Sequence, residues 1–217
     1  MKFPLASEGW KFILPALALT VAAAATGHPI WAAGLAAPTV FLISFFRDPE
    51  RRPAGGPETI VSPADGTVLS IGPASEAPPG ASRRISIFMS VFNCHVNRAP
   101  VTGVLSDYAY NPGRKMAAFA EKASLENEQN LVTMSSGTGR VAFKQIAGAL
   151  ARRIIFYPKP GESLERGQRV GIILFGSRVD LFLPDDAEVL VVKGQKVKAA
   201  LTGIARWKSS PPPPARG

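Results

Sequence analysis

A nearly uncharged apolar stretch at the N-terminus constrains the fold of this chain more than any other feature. Residues 10–46 read WKFILPALALTVAAAATGHPIWAAGLAAPTVFLISFF, and Lys11 is the one formally charged residue among them. The stretch is too long for the apolar region of a signal peptide. A Gly-His-Pro turn at 27–29 divides it into two runs of about 16 to 17 residues, slightly shorter than the roughly 20 residues that span a bilayer. The pattern predicts a membrane-associated helical hairpin over residues 1–46 that either spans the bilayer or only enters it.

Basic residues on both sides of the hairpin predict its orientation. They are Lys2, Lys11, Arg47, Arg51 and Arg52. Because basic residues favour the cytoplasmic side of a membrane, both ends of the hairpin and the domain after it are expected at the cytoplasmic face of the cell (inner) membrane. A pair of Ala-rich core helices in a soluble protein is the alternative interpretation. His28 lies in the turn, where a polar residue has a structural reason, so no catalytic role is assigned to it.

The charge and the rare residues limit the classes of partner. The chain has 25 Lys and Arg against 16 Asp and Glu, a formal charge of +9, which favours phosphate-bearing partners. Nucleic acid is not expected, because interleaved surface aromatics and a recognisable binding module are missing from the sequence. One cysteine, Cys94, and two histidines provide neither an internal disulfide nor a Cys/His metal cluster, so no metal site is predicted.

The rest of the chain has the pattern of a β-rich domain. Residues 47–59, rich in charge, Pro and Gly, are predicted to be a linker. From 60 to 205, short alternating or β-branched runs are separated by turn signals about every ten residues, which is typical of an antiparallel barrel or sandwich with little helix. One helix is conceivable at 115–130. The tail at 206–217 contains four successive prolines and is predicted to be disordered.

Two segments of this domain look alike. Residues 62–72 (SPADGTVLSIG) and 191–205 (VVKGQKVKAALTGIA) each combine a glycine turn with a short alternating strand. This combination is typical of the flattened barrels of lipoyl and biotinyl carrier domains, so the β domain is predicted to contain lipoyl-like strands.

A Gly-Ser pair interrupts an apolar run at 171–182, and it has two interpretations. A β-bulge or bend is the structural one. The chemical one is self-cleavage, in which the Ser177 hydroxyl attacks the Gly176 carbonyl, where no Cβ blocks the approach. The amide then becomes an ester, loss of the Ser177 α-proton eliminates the Gly176 carboxylate, and hydrolysis of the resulting dehydroalanine leaves a pyruvoyl group.

Such a serine needs a base, and a histidine oriented by a carboxylate is the usual arrangement. His95 is the histidine outside the hairpin, and Asp65 lies in a Pro-Ala-Asp-Gly turn before a strand. A buried strand histidine and an Asx-turn aspartate are the structural alternatives for these two residues.

Four strings in order resemble the phosphatidylserine decarboxylases, in the compact form found in bacteria and archaea. The strings are SPADG at 62–66, FNCHVNRAP at 92–100, ERGQRVG at 165–171 and FGSRVD at 175–180. The resemblance covers nearly all of residues 47–205, and the four strings together are far more specific than any one of them.

The resemblance implies that cleavage between Gly176 and Ser177 yields a β chain, 1–176, and an α chain, 177–217, that remain associated as a heterodimer. It implies an Asp65–His95–Ser177 processing triad and a covalent pyruvoyl cofactor derived from Ser177. That group would form a Schiff base with phosphatidylserine in membrane lipid, and loss of CO₂ would give phosphatidylethanolamine. A higher oligomer is compatible with the pattern.

The chain departs from the longer family members at one position. Those members have two histidines, three positions apart, whereas here Arg98 occupies the second position. Either His95 acts in both cleavage and decarboxylation, or another group takes one of these roles, and Arg98 or Asn97 is expected to bind the charges of the substrate. Six further basic residues are candidates for binding the lipid phosphate, and the sequence does not show which of them binds it. They are Arg83, Arg84, Arg114, Lys115, Arg152 and Arg153.

Two other functions compete with this prediction. A pyruvoyl decarboxylase of a soluble amino acid would share the chemistry but has no use for the hairpin. A non-enzymatic, membrane-tethered lipoyl-like binding module would need an attachment lysine at a hairpin tip, flanked by Asp or Met. Lys193 and Lys196 are the nearest candidates, and neither has such neighbours.

Overall fold

The structure is a computed structural model that describes residues 4–74, 78–113, 127–148, 153–174 and 177–208. A short 3₁₀ helix at Ser7–Gly9 leads into helix α1 (Trp10–Ala25), and helix α2 (Pro29–Phe45) follows. The remaining elements are the strands β1 (Thr59–Val61), β2 (Gly66–Pro73), β3 (Arg83–Met89), β4 (Val96–Arg98), β5 (Gly103–Asn111), β6 (Gln129–Ser135), β7 (Arg140–Ala147), β8 (Ile154–Phe156), β9 (Ser163–Leu164), β10 (Arg169–Ile173), β11 (Ser177–Leu183), β12 (Ala187–Val189), β13 (Lys196–Val197) and β14 (Gly203–Trp207).

The two helices form the predicted hairpin. Gly27 adopts φ +77°, which glycine tolerates without strain, and Pro29 begins α2 with its preset φ. The hydroxyls of Thr20 and Thr39 lie 3.0 Å apart across the helix pair. The segment Ser7–Ala25 is long and apolar enough to cross a membrane, with a mean hydropathy of 1.3, whereas α2 is shorter.

The β domain is antiparallel throughout its paired strands, so the predicted mainly β fold is confirmed. Eight strands form a curled sheet in the order β13-β2-β3-β11-β7-β6-β5-β9, and two three-stranded sheets, β1-β14-β12 and β4-β10-β8, complete the domain. Strand β11 lies at the centre of the large sheet, between β3 and β7, and every one of its residues is buried. The string that contains Ser177 therefore lies on a strand that is buried along its whole length.

The two lipoyl-like segments contact each other. Strand β13 pairs with the start of β2, where Lys196 is opposite Thr67. The amide of Ser62 donates to the carbonyl of Thr202 at 2.8 Å, and the amide of Ala200 donates to the carbonyl of Ser62 at 2.9 Å. The two glycine-turn segments thus form one unit, which holds the SPADG turn rigidly.

Two hydrophobic clusters stabilise the fold. The larger fills the β domain and includes Trp207, which is 3% exposed, so the packed domain extends past residue 205 into the segment predicted to be a tail. Trp207 is held there because β14 pairs with β12 up to that residue. The smaller cluster joins the base of the hairpin, at Phe45 and Phe46, to Cys94 and Ile172 of the β domain.

Two sequence predictions fall largely outside the described residues. The first is the conceivable helix at 115–130, of which residues 115–126 lie outside the described residues. Its end, at Gln129 and Asn130, is extended because these residues pair with β7. Residues 209–217 of the Pro-rich tail also lie outside the described residues.

Candidate active site

Ser177 is the first residue of β11 and is fully buried. It lies opposite Met89 of β3 on one side and Ala147 of β7 on the other. Its hydroxyl donates to the Met89 sulfur at 3.3 Å, and a thioether is a weak acceptor. The hydroxyl is thus shielded from water without being tightly held. Gly176, on the other side of the predicted scissile bond, lies outside the described residues.

His95 precedes β4 and is also fully buried. Its Nδ1 lies 3.0 Å from the carbonyl oxygen of Asn93. Because a carbonyl oxygen can only accept, Nδ1 carries the proton and Nε2 has a lone pair. Nε2 is buried and has no hydrogen-bond partner in the described part of the chain. Burial, the largest influence, lowers the pKa of His95 to about 4, so the imidazole is neutral near pH 7 and can accept a proton.

Asp65 does not hydrogen-bond to His95. Its carboxylate accepts from both terminal guanidinium nitrogens of Arg51, one of them at 2.9 Å, and from the amide of Ala199 at 2.8 Å. The next residue, Gly66, has no room for a side chain because a Cβ would lie 2.1 Å from the carbonyl oxygen of Phe88. Asp65 still acts on His95 at a distance, because its negative charge opposes the lowering of the His95 pKa by burial. The structure thus brings Asp65 near His95 but gives the carboxylate another partner.

Asn97 belongs to a buried chain of polar side chains. Its Oδ1 accepts from Nε2 of Gln145 at 2.8 Å, and the Gln145 Oε1 accepts from Nδ2 of Asn130 at 2.9 Å. The Asn97 Nδ2 lies 3.8 Å from the sulfur of Met89, the atom that also contacts Ser177. Met89 therefore links the FNCHVNRAP and FGSRVD strings, and Asn97 is positioned beside the serine.

Arg98, the other residue predicted to bind substrate, is engaged in protein contacts. Its guanidinium donates to Asp48 at 2.7 Å, to the carbonyl of Pro49 at 3.0 Å and to the carbonyl of Gly167 at 3.0 Å. These contacts attach the segment after the hairpin to the β domain. Arg98 therefore has a structural role at that junction.

The sequence analysis missed several residues that shape the site. Arg51, the partner of Asp65, was considered only as a basic residue of the linker that orients the hairpin, and Gln145 and Met89 were assigned only to strands. The sequence signal that could have identified Gln145 as a site residue is an amide side chain inside an otherwise apolar strand. Arg178, directly after the serine, was also unassigned, and its buried guanidinium donates to Asp180 at 2.6 Å and to Ser86 at 2.8 Å.

The base of the hairpin contacts the His95 loop directly. The Phe45 ring stacks on the His95 imidazole with 4.2 Å between ring centroids and 28° between planes. Arg47 donates to the carbonyl of Phe92 at 2.7 Å, and the Cys94 thiol donates to the carbonyl of Arg47 at 3.1 Å. The end of α2 thus forms one wall of the histidine site.

Comparison with known proteins identifies the family of this chain. The phosphatidylserine decarboxylase family profile matches residues 39–205. A phosphatidylserine decarboxylase proenzyme of Trichlorobacter lovleyi is 47% identical over 207 residues, covering 92% of this chain and 94% of the relative. Proteins of the same name from Geotalea uraniireducens and Ralstonia nicotianae are 43% and 44% identical, covering 92% and 93% of this chain and 94% of each relative. The chain therefore belongs to the phosphatidylserine decarboxylase family.

Proposed function

We propose that this chain is a proenzyme that cleaves itself between Gly176 and Ser177 and then decarboxylates phosphatidylserine to phosphatidylethanolamine. The observation that carries the proposal is the burial, in a chain of this decarboxylase family, of the two groups that the cleavage needs. One is the Ser177 hydroxyl, which has only a weak acceptor, and the other is the unpartnered Nε2 of a neutral His95. The structure keeps both groups away from bulk water, where a serine is a poor nucleophile.

In the cleavage step, His95 takes the Ser177 hydroxyl proton as the oxygen attacks the preceding carbonyl. Asn93 fixes the tautomer, because its carbonyl holds the Nδ1 proton, and Phe45 fixes the plane of the ring. Asp65 stabilises the imidazolium that forms, through its negative charge rather than by a hydrogen bond. The Arg51 contact holds the carboxylate in place and moderates its charge.

The mature enzyme would contain a pyruvoyl group at residue 177, whose ketone reacts with the substrate amine and accepts the electrons released as CO₂ leaves. The surroundings fit such a group, because residue 177 is buried opposite Met89 and Ala147, and the Asn97 amide contacts the same Met89 sulfur as Ser177. His95 would return a proton to the substrate carbon, and Asn97 would orient polar atoms of the headgroup. Arg98 is not assigned to the substrate, because Asp48 and two carbonyls occupy its guanidinium.

The hairpin would attach the enzyme to the membrane that contains its substrate, with the β domain on the cytoplasmic side. Apolar side chains on its surface support this part of the proposal: Leu19, Ile30 and Trp31 are 60%, 85% and 70% exposed. We expect Leu19→Asp to reduce flotation with phospholipid vesicles, since Asp near a helix centre costs roughly 2.5 to 3.5 kcal/mol in a bilayer. Leu201→Asp, at an exposed apolar position of the β domain, is the matched control and should float normally.

Intact mass measurement under denaturing conditions tests the central step. The wild-type chain should give two fragments divided after Gly176, the smaller one beginning with a pyruvoyl group instead of serine. Ser177→Ala should remain a single chain, whereas Ser163→Ala, at an exposed position of β9, should be cleaved normally. A folded wild-type protein that stays uncleaved in membranes would refute the proposal. Release of CO₂ from free serine but not from phosphatidylserine would instead indicate a soluble amino-acid decarboxylase.

A further inference from the structure

A second polar site lies at the junction between the hairpin and the β domain. A cavity of about 870 Å³ separates the segment after α2 from the turn that contains ERGQR, residues 165–169. Neither Ser177 nor His95 occurs among its described lining residues. The cavity is therefore separate from the reactive serine, and it is lined by a string that the proposed chemistry does not use.

The cavity has an excess of positive charge. Five arginines line it, Arg51, Arg52, Arg98, Arg166 and Arg169, against three carboxylates. One of these carboxylates, Asp48, is shared by two arginines, at 2.7 Å from Arg98 and 3.1 Å from Arg169. Arg51 is neutralised by Asp65, which lies outside the lining.

Two of the arginines form no ion pair with any carboxylate in the described part of the chain. Arg166 donates to the backbone carbonyls of Gly55, Gly56 and Thr59. It forms no ion pair with any residue in the described ranges. Arg52 is exposed and forms neither an ion pair nor a side-chain hydrogen bond with any residue that the structure describes. Their charges are available to an anion.

Arg169 offers a preorganised donor. Its guanidinium carbon lies 5.7 Å from the centre of the Tyr157 ring, and Tyr157 is itself held by a 2.9 Å hydrogen bond to Glu8. The Arg169 Nη2 is buried and has no acceptor in hydrogen-bond geometry among the described residues. An unsatisfied buried donor is unfavourable, and an anion in the cavity would satisfy it.

We propose that this cavity binds the phosphate of an anionic phospholipid headgroup, at a site distinct from the reactive serine. Planar guanidinium groups bind phosphate oxygens in pairs, which suits the Arg52, Arg166 and Arg169 set. Pro4 and Ser7, in the segment that leads into α1, also line the cavity, so it lies beside the start of the hairpin. That location favours a lipid headgroup over a soluble phosphate, and this choice alone rests on the proposed membrane attachment of the hairpin.

The test uses the protein as purified from the complete coding sequence, whether cleaved or not, in neutral detergent micelles, titrated calorimetrically with short-chain phosphatidylglycerol. This lipid has the phosphate but no amine for the reactive site. We expect Arg169→Gln and Arg52→Gln each to weaken binding about tenfold, by the loss of charge-assisted hydrogen bonds. Arg206→Gln removes an exposed arginine of β14 that pairs with Glu188 of the neighbouring strand β12 and does not line the cavity. It is the matched control and should bind as the wild type does.

Arg52→Gln keeps the test decisive if Arg169→Gln fails to fold, because Arg52 is exposed and supports no other side chain in the described structure.

A parallel titration with inorganic phosphate distinguishes a lipid headgroup from free phosphate as the ligand. Tighter binding of the lipid than of phosphate supports the proposal, and equal or tighter binding of phosphate overturns the lipid assignment. Unchanged binding in both variants refutes the anion site. Fragment masses measured on the same samples report self-cleavage independently, so failure of one proposal is not confused with failure of the other.

Discussion

The hairpin and the β domain distribute polar and apolar side chains in opposite ways. In the hairpin, large apolar residues such as Leu19 and Trp31 face outward, and a threonine pair joins the two helices. In the β domain, Ser177, Asn97 and Gln145 are fully buried within an apolar core. Water disfavours the first arrangement, whereas the second is stable only if each polar group finds a partner. The comparison indicates that the hairpin suits a lipid environment and that the buried polar groups of the β domain serve a site.

The largest expected effect comes from removing the His95 imidazole, whose buried Nε2 has no hydrogen-bond partner among the described residues. His95→Gln should slow self-cleavage by about 10² to 10⁴-fold, because a positioned base contributes that much to proton transfer. The time course of cleavage after synthesis, followed by gel electrophoresis, measures this. His28→Gln, in the turn of the hairpin, should cleave at the wild-type rate, and equal rates for both variants would exclude His95 as the base.

A buried ion pair gives the next largest effect. Asp180→Ala leaves the Arg178 guanidinium buried without its partner and should lower the free energy of unfolding by about 3 to 5 kcal/mol. Glu188→Ala, which breaks the exposed pair with Arg206, should lower the free energy of unfolding far less, because an exposed ion pair contributes little to stability. Chemical denaturation of both variants in detergent provides the comparison. Similar losses would mean that the interior of the β domain tolerates charge as its surface does.

The depressed pKa of His95 predicts a pH dependence of stability. The unfolded chain binds a proton near pH 6.5 and the folded chain only near pH 4, so stability should be complete above pH 6.5 and should fall as the pH is lowered through this window. The loss attributable to His95 at pH 4 is about 3 kcal/mol. Unfolding of Ser177→Ala and of the Ser177→Ala, His95→Gln double variant, neither of which is cleaved, isolates this contribution. If the free energies of unfolding of the two variants depended on pH in the same way, the His95 imidazole would be more solvated than it is in the structure.

The smallest effect concerns the polar contact in the hairpin. Thr20→Val removes the 3.0 Å contact with Thr39 and should destabilise the helix pair by about 0.6 kcal/mol, the average for hydrogen bonds between membrane helices. Thermal unfolding in bilayer discs is sensitive enough to detect it, with Thr26→Val, at the exposed end of α1, as the control. A loss several times larger would mean that the hairpin depends on polar contacts, as the β domain does.

Local patterns in the sequence were sufficient for much of this protein. The uncharged stretch with its Gly-His-Pro turn predicted the helical hairpin, because helix formation and apolar composition are properties of contiguous residues. Alternating runs predicted an antiparallel β domain, and the paired lipoyl-like segments are part of it. Four short strings identified the family, and Ser177 and His95 are buried as a water-excluded site requires.

The tertiary structure decided which side chains meet. Asp65 pairs with Arg51, 14 positions away, and His95 takes the carbonyl of Asn93 as its orienting group. Gln145 reaches Asn97 across 48 positions, and Arg98 reaches Gly167 across 69. Periodicity specifies which face of an element is buried, but strand order and register determine which distant residue lies opposite. A carboxylate or guanidinium binds the nearest suitable partner that this register supplies, and that choice is not encoded in any one segment.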